Sequence, residues 1–138
     1  MFKTIPSQSI CAKGKLISFE KPRIMGILNV TPDSFYDGGK HDDLKKALNS
    51  VQQMILDGVD IIDIGAYSSR PGAALISSQE EIDRAIPIIA AILKEFPNSI
   101  LSIDTFRADV AEAAVAAGAH IINDISGGSI DEKMFETV

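Results

Sequence analysis

Residues 24–40 read IMGILNVTPDSFYDGGK, an apolar run that breaks at once into Asn29, Thr31, Pro32, Asp33, Ser34, Asp37, Gly38 and Gly39. A strand that ends in an amide, followed by two carboxylates and a glycine pair, suits an oxygen-ligand site better than a packed core. Loops of that composition commonly carry function. Carboxylate or amide side chains recur at the ends of later apolar runs, as Asp63, Asp104 and Asn123. A second polar, turn-rich segment, GAYSSRPG (65–72), contributes Arg70. The formal net charge is -6, so an anionic ligand would need such a local cation against the repulsion of the whole molecule.

The elements that would position these groups follow from periodicity. Two short alternating segments, 9–12 and 15–19, flank Lys13-Gly14 and predict a small hairpin. Next comes a buried strand over 24–28, in which Gly26 allows close packing. Leu44, Ala47, Leu48, Val51, Met54 and Ile55 make a helical stripe that starts near Asp42 and closes at Gly58. A strand over 59–64 ends at Asp63. Ser78 and Glu81 predict a capping box for a helix with the stripe Ile82, Ala85, Ile86, Ile89 and Leu93. Pro87 is expected to bend that helix or end its first turns, and Pro97 stops it. A strand over 99–103 ends at Asp104, a helix spans about 107–117, and a strand over 119–122 ends at Asn123. Asp131 is expected to start a last helix. An internal echo supports the pattern: DGVDIID at 57–63 matches AGAHIIN at 117–123.

The order is therefore βαβαβαβα with continuous apolar strands, which implies a parallel sheet covered by helices. A doubly wound nucleotide-binding sheet would normally carry G-x-G-x-x-G or a P-loop, and neither is present. Polar residues at the tips of successive strands are how a TIM (β/α)₈ barrel builds its site. The expected fold is the N-terminal half of such a barrel, preceded by the hairpin. Residues 1–22 would form the hairpin and 23–138 the first four βα units, all one partial domain with its last helix cut short.

Composition excludes several classes. An acidic chain is a poor partner for nucleic acid or an anionic membrane surface. Cys11 is the only cysteine, so there is neither a disulfide framework nor a thiolate metal site. The first twenty residues lack a signal-like apolar core, and the chain reads as cytoplasmic.

GILNVTPDSFYDGG, IDIGAYSSRPGA and SIDTFRADVAEAAVAAGAHIINDISGG, in this order and at suitable spacing, resemble the dihydropteroate synthase family across residues 24–128. The resemblance implies condensation of p-aminobenzoate with 7,8-dihydropterin-6-ylmethyl diphosphate, release of diphosphate, Mg²⁺, and a homodimer of the full-length protein. It implies Asn29 as the metal contact, with Phe35 and Asp37 on a loop that closes over the substrates. Ser69 and Arg70 would grip the diphosphate, while Asp104 and Asn123 would meet the pterin edge. The sequence departs from the family at Tyr67, commonly glutamate, and at Ser69, commonly threonine. Serine keeps the hydroxyl; tyrosine does not replace a carboxylate.

Plainer uses compete with these roles. Asn29 could cap a strand, Arg70 could be a surface turn residue, and Asp104 or Thr105 could cap the next helix. Asp63 is expected to be an internal hydrogen-bond partner. Asp124 fits either a structural or a binding role. His120 is expected to be structural, and neither His41 nor Cys11 is given a role. Two other functions fit less well: a pterin-binding methyltransferase barrel, and a non-catalytic half-barrel for binding or assembly. The family's later aspartate, lysine–serine and arginine–histidine groups have no counterpart in the 138 residues. These residues on their own are expected to be inactive, with unpaired outer strands that invite self-association.

Overall fold

The computed structural model describes residues 8–30, 39–67 and 76–138, and gives the backbone alone for residues 39–41. β1 (Ser9–Ala12) and β2 (Lys15–Ser18) pair antiparallel across a turn in which Lys13 and Gly14 both have positive φ, 47° and 78°. That geometry matches the right-handed twist of the two strands.

β3 (Met25–Asn29), β4 (Ile61–Gly65), β5 (Ile100–Asp104) and β6 (Ile121–Asn123) form one parallel sheet in sequential order. Three helices connect them: α1 (Gly39–Leu56), α2 (Ser78–Glu95) and α3 (Ala108–Ala117). The core joins Leu28, Ile62, Ile64, Leu101 and Ile103 from alternate strand positions to Val51, Ala85, Ile89, Ile92, Val110 and Ala114 from the helices. All three helices thus cover one face. A doubly wound sheet would reverse its strand order and carry helices on both faces, so the arrangement is that of a barrel wall. Gly26 earns its place in that packing, because a methyl there would stand 3.1 Å from both Met54 Sδ and Val59 Cγ1.

Several expectations change in detail. The strand at 24–28 is buried on one side only: Leu28 faces the helices, but Ile27 on the other face is 64% exposed. Ile55 lies off the packed stripe of α1 and is exposed, and α1 begins at Gly39, ahead of Asp42. The cap of α2 is Ser77, whose side chain accepts from the Glu80 N–H at 3.2 Å. Pro87 does not end α2, which runs unbroken from Ser78 to Glu95. It lies on the exposed side, where water can satisfy the carbonyl its ring leaves free. Asp131 starts no helix; its carboxylate accepts from the Ala108 N–H at 2.8 Å and so caps α3. The final helix, α4 (Met134–Thr137), comes later and is a single turn.

At the base, Lys13 Nζ donates to Val115 O and Lys15 Nζ donates to Asn98 O and Ser99 O. His120 lies nearby and its Nδ1 accepts from the Leu101 N–H at 3.2 Å. Burial, then the two lysines, hold its pKa below the usual histidine value, consistent with a neutral structural group.

Candidate functional site

The strand ladder brings the tip residues into line. Asn29 pairs with Gly65, Gly65 with Asp104, and Asp104 with Asn123, so the four occupy one row at the carboxyl end of the sheet. Because strand side chains alternate, all four belong to the face away from the helices. Asp63 was expected at a tip, but it pairs with Ile27 and Ser102 one layer below. Gly65 takes the tip position and leaves room: a methyl there would lie 3.4 Å from Asn29 Oδ1 and 3.7 Å from Asp104 Oδ2.

The polar groups of the row are held from behind. Asn123 Nδ2 donates to Asp63 Oδ2 at 3.0 Å, which gives Asp63 the internal partner expected of it. The Tyr67 hydroxyl donates to Asp104 Oδ1 at 3.4 Å, and its ring meets Phe106 edge to face with centroids 5.3 Å apart. Asp104 does not cap α3; Thr105 Oγ1 accepts from the Arg107 N–H at 3.2 Å, so the carboxylate stays available. Asp124 is engaged with its own loop, accepting from the Ser126 and Gly128 N–H groups.

Asp104 is half-buried, and its carboxyl is pushed up to about 6, first by desolvation and then by the Asp63 charge, with Glu81 and Asp124 adding; the Tyr67 hydrogen bond acts the other way. Tyr67 is raised to about 12, by burial and then by Asp104, so its hydroxyl remains a donor. A carboxyl raised by folding favours the protonated form. Its contribution to stability is therefore complete below the unfolded value of about 3.9 and is lost as pH rises through about 6. Asp104→Asn removes that loss. A full shift of two units would be about 3 kcal/mol; with half the group in solvent, roughly 1 kcal/mol is expected. Urea unfolding from pH 4 to 7.5 should show the variant gaining on the parent as pH rises. Parallel curves would contradict it.

Among the described residues no three His, Cys, Asp or Glu side chains gather into a metal-binding group. Asn29 offers one exposed carboxamide oxygen at a strand end. That is a fit for a hard cation that keeps several waters and shares its shell with a phosphorylated ligand, not for an all-protein cage. Phe35, Asp37, Ser69 and Arg70 lie outside the described residues. Sequence reasoning missed two contributors. The sequence pattern marks Gly65 only as part of a turn-rich loop, and the support of Tyr67 for Asp104 has no local signal. Among the described residues no helix is long and apolar enough to cross a membrane.

Comparison with known proteins adds an independent line. The family described as "Pterin binding enzyme" matches residues 25–138. The chain is 55% identical over 129 residues to the dihydropteroate synthase of Bacillus subtilis (strain 168), covering 93% of this chain and 45% of that protein. It is 53% identical over 121 residues to a folate synthesis bifunctional protein of Arabidopsis thaliana, covering 86% and 25%. The structure of Xanthomonas albilineans dihydropteroate synthase with 4-aminobenzoic acid superposes with a TM-score of 0.87 at 39% identity, covering 96% of this chain and 48% of that one. Burkholderia cenocepacia dihydropteroate synthase complexed with 7,8-dihydropteroate gives 0.81 at 37%, covering 98% and 44%. The chain thus spans less than half the length of these relatives.

Proposed function

This chain belongs to the pterin-binding enzyme family, and from that premise we propose that it supplies the pterin and diphosphate side of a dihydropteroate synthase site. The reaction assigned is condensation of p-aminobenzoate with 7,8-dihydropterin-6-ylmethyl diphosphate. The arylamine nitrogen forms a bond to the pterin methylene, the methylene C–O bond breaks, and diphosphate leaves with the bonding pair while the amine loses a proton. Negative charge grows on the departing group and positive charge on the pterin methyl.

Asp104 and Asn123 hold the pterin edge through its N–H donors. Ser69 donates to the diphosphate, and Arg70 pairs with it bidentately against the acidic background of the chain. Phe35 and Asp37 belong to a loop that closes over the substrates and excludes water. Asn29 would hold Mg²⁺ together with diphosphate oxygens, and the ion would supply charge neutralisation at the leaving group. A cytoplasmic location, and a homodimer of the full-length protein, belong to the same reading.

The observation that supports this assignment best is the single ladder row of Asn29, Gly65, Asp104 and Asn123, polar groups on either side of a glycine. Calorimetric titration of the chain with the dihydropterin diphosphate, with and without Mg²⁺, tests it. Binding that tightens with the metal is expected. Metal-independent binding of a reduced folate would point to methyl transfer instead, and no binding to either would leave a non-catalytic module.

A further inference from the structure

Building on the pterin-site reading just given, we propose that Asp63 is a positioning residue. It dictates that Asn123 presents its carbonyl oxygen, and not its amine, to the bound heterocycle. Asp63 is 4% exposed and lies one layer below the tip row, on the same face of the sheet. A carboxylate oxygen is a hydrogen-bond acceptor, so the carboxamide beside it turns its NH₂ downward. The 3.0 Å contact from Asn123 Nδ2 to Asp63 Oδ2 is that arrangement. Asp63 Oδ1 has no partner among the described residues, so Asn123 is the one side chain this carboxylate serves there.

The consequence lies at the mouth. With its nitrogen engaged below, Asn123 leaves its carbonyl oxygen for the open side. Its ladder neighbour Asp104 has Oδ1 facing the Tyr67 hydroxyl and Oδ2 toward the space over Gly65. Two acceptors from adjacent strands therefore flank the space a ligand would enter. They select a ring edge that offers N–H donors, such as one carrying an exocyclic amine, and reject an edge with a carbonyl in that place. A freely rotating carboxamide would blur the choice, because its NH₂ could serve the carbonyl or fold onto Asp104.

The test measures discrimination as well as affinity. The parent chain, Asp63→Leu and Asp63→Asn are titrated with the dihydropterin diphosphate and with the pteridine dione counterpart, in which a carbonyl replaces the exocyclic amine. Leucine fills the volume and removes the acceptor. The preference for the aminopterin is expected to narrow about tenfold, the equivalent of one hydrogen bond to the ligand. Asparagine still offers one carbonyl to Asn123, so it should recover most of that preference, narrowing it two- to threefold. This graded recovery would not follow from loss of packing. An unchanged preference in the leucine variant overturns the role of Asp63. Should that variant not fold, an unchanged preference in the asparagine variant does the same. If the parent binds neither compound, the pterin reading itself fails, and the inference falls with it.

Discussion

Arg107→Ala is expected to cost about 3–5 kcal/mol of folding stability, the range seen when one partner of a buried ion pair is removed. Glu81 has no solvent exposure, and Arg107 Nη1 is bonded to its Oε2. The other carboxylate oxygen has no partner among the described residues. Truncating the arginine leaves the buried carboxylate without its cation. It also removes the donor to Ile76 O, at 2.7 Å, and the guanidinium that stacks 5.0 Å from the Phe106 ring. The loss should therefore reach the site as well as the core, because Ile76 follows the arginine segment and Phe106 supports Tyr67. Urea unfolding of the variant gives the number. The paired replacement Glu81→Leu with Arg107→Met should return stability to within about 1 kcal/mol of the parent or above it, since hydrophobic isosteres often match a buried pair. A loss below about 1 kcal/mol for Arg107→Ala would mean that Glu81 is solvated after all.

Gly65→Ala should do the opposite: leave the fold intact and remove ligand binding. A methyl group at this position makes contacts of ordinary length, 3.4 Å to Asn29 Oδ1 and 3.7 Å to Asp104 Oδ2. The strand loses no strained conformation, because Gly65 is not among the glycines with positive φ. Alanine is also favoured over glycine inside a regular element by roughly 0.5–1 kcal/mol. Yet the added carbon occupies the space between the proposed metal contact and the proposed pterin contact. A ligand displaced by about 1 Å in such a site can lose roughly 100-fold. The expectation is an unfolding midpoint at or above that of the parent, with dihydropterin diphosphate affinity down roughly 10–100-fold. Parent-like affinity would show that the ligand does not lie over Gly65.

The contrast between these two positions explains what the sequence could disclose. Strand tips were legible because an apolar run that stops at Asn29, Asp104 or Asn123 changes chemistry at one residue. Asp63 misled because Ile64 and Gly65 follow it with no polar signal, and only the parallel register shows that the row passes through a glycine. The ion pair of Arg107 and Glu81 spans 26 residues and exists only once α2 packs beside α3. Local pattern cannot reveal such a partnership. Helix starts erred for a related reason. Ser77 and Ser78 are each followed by glutamate three residues on, and the choice between them falls to Ser77 once Glu81 turns inward toward Arg107. Asp131 looked like a helix start because aspartate favours that place; in the fold it caps a helix 23 residues earlier. The sequence was right about the kinds of element and their order, and weakest wherever two distant elements share one side chain.

The two lysine anchors of the N-terminal hairpin carry a consequence for how the molecule comes together. Lys13 reaches a carbonyl 102 positions further along, and Lys15 reaches two others 83 and 84 positions away. Closing loops of that length is entropically costly until both ends already exist as ordered surfaces. The hairpin therefore docks only after the second and third βα units have assembled and presented those carbonyls. The hairpin acts as a late latch across segments that are far apart in the chain.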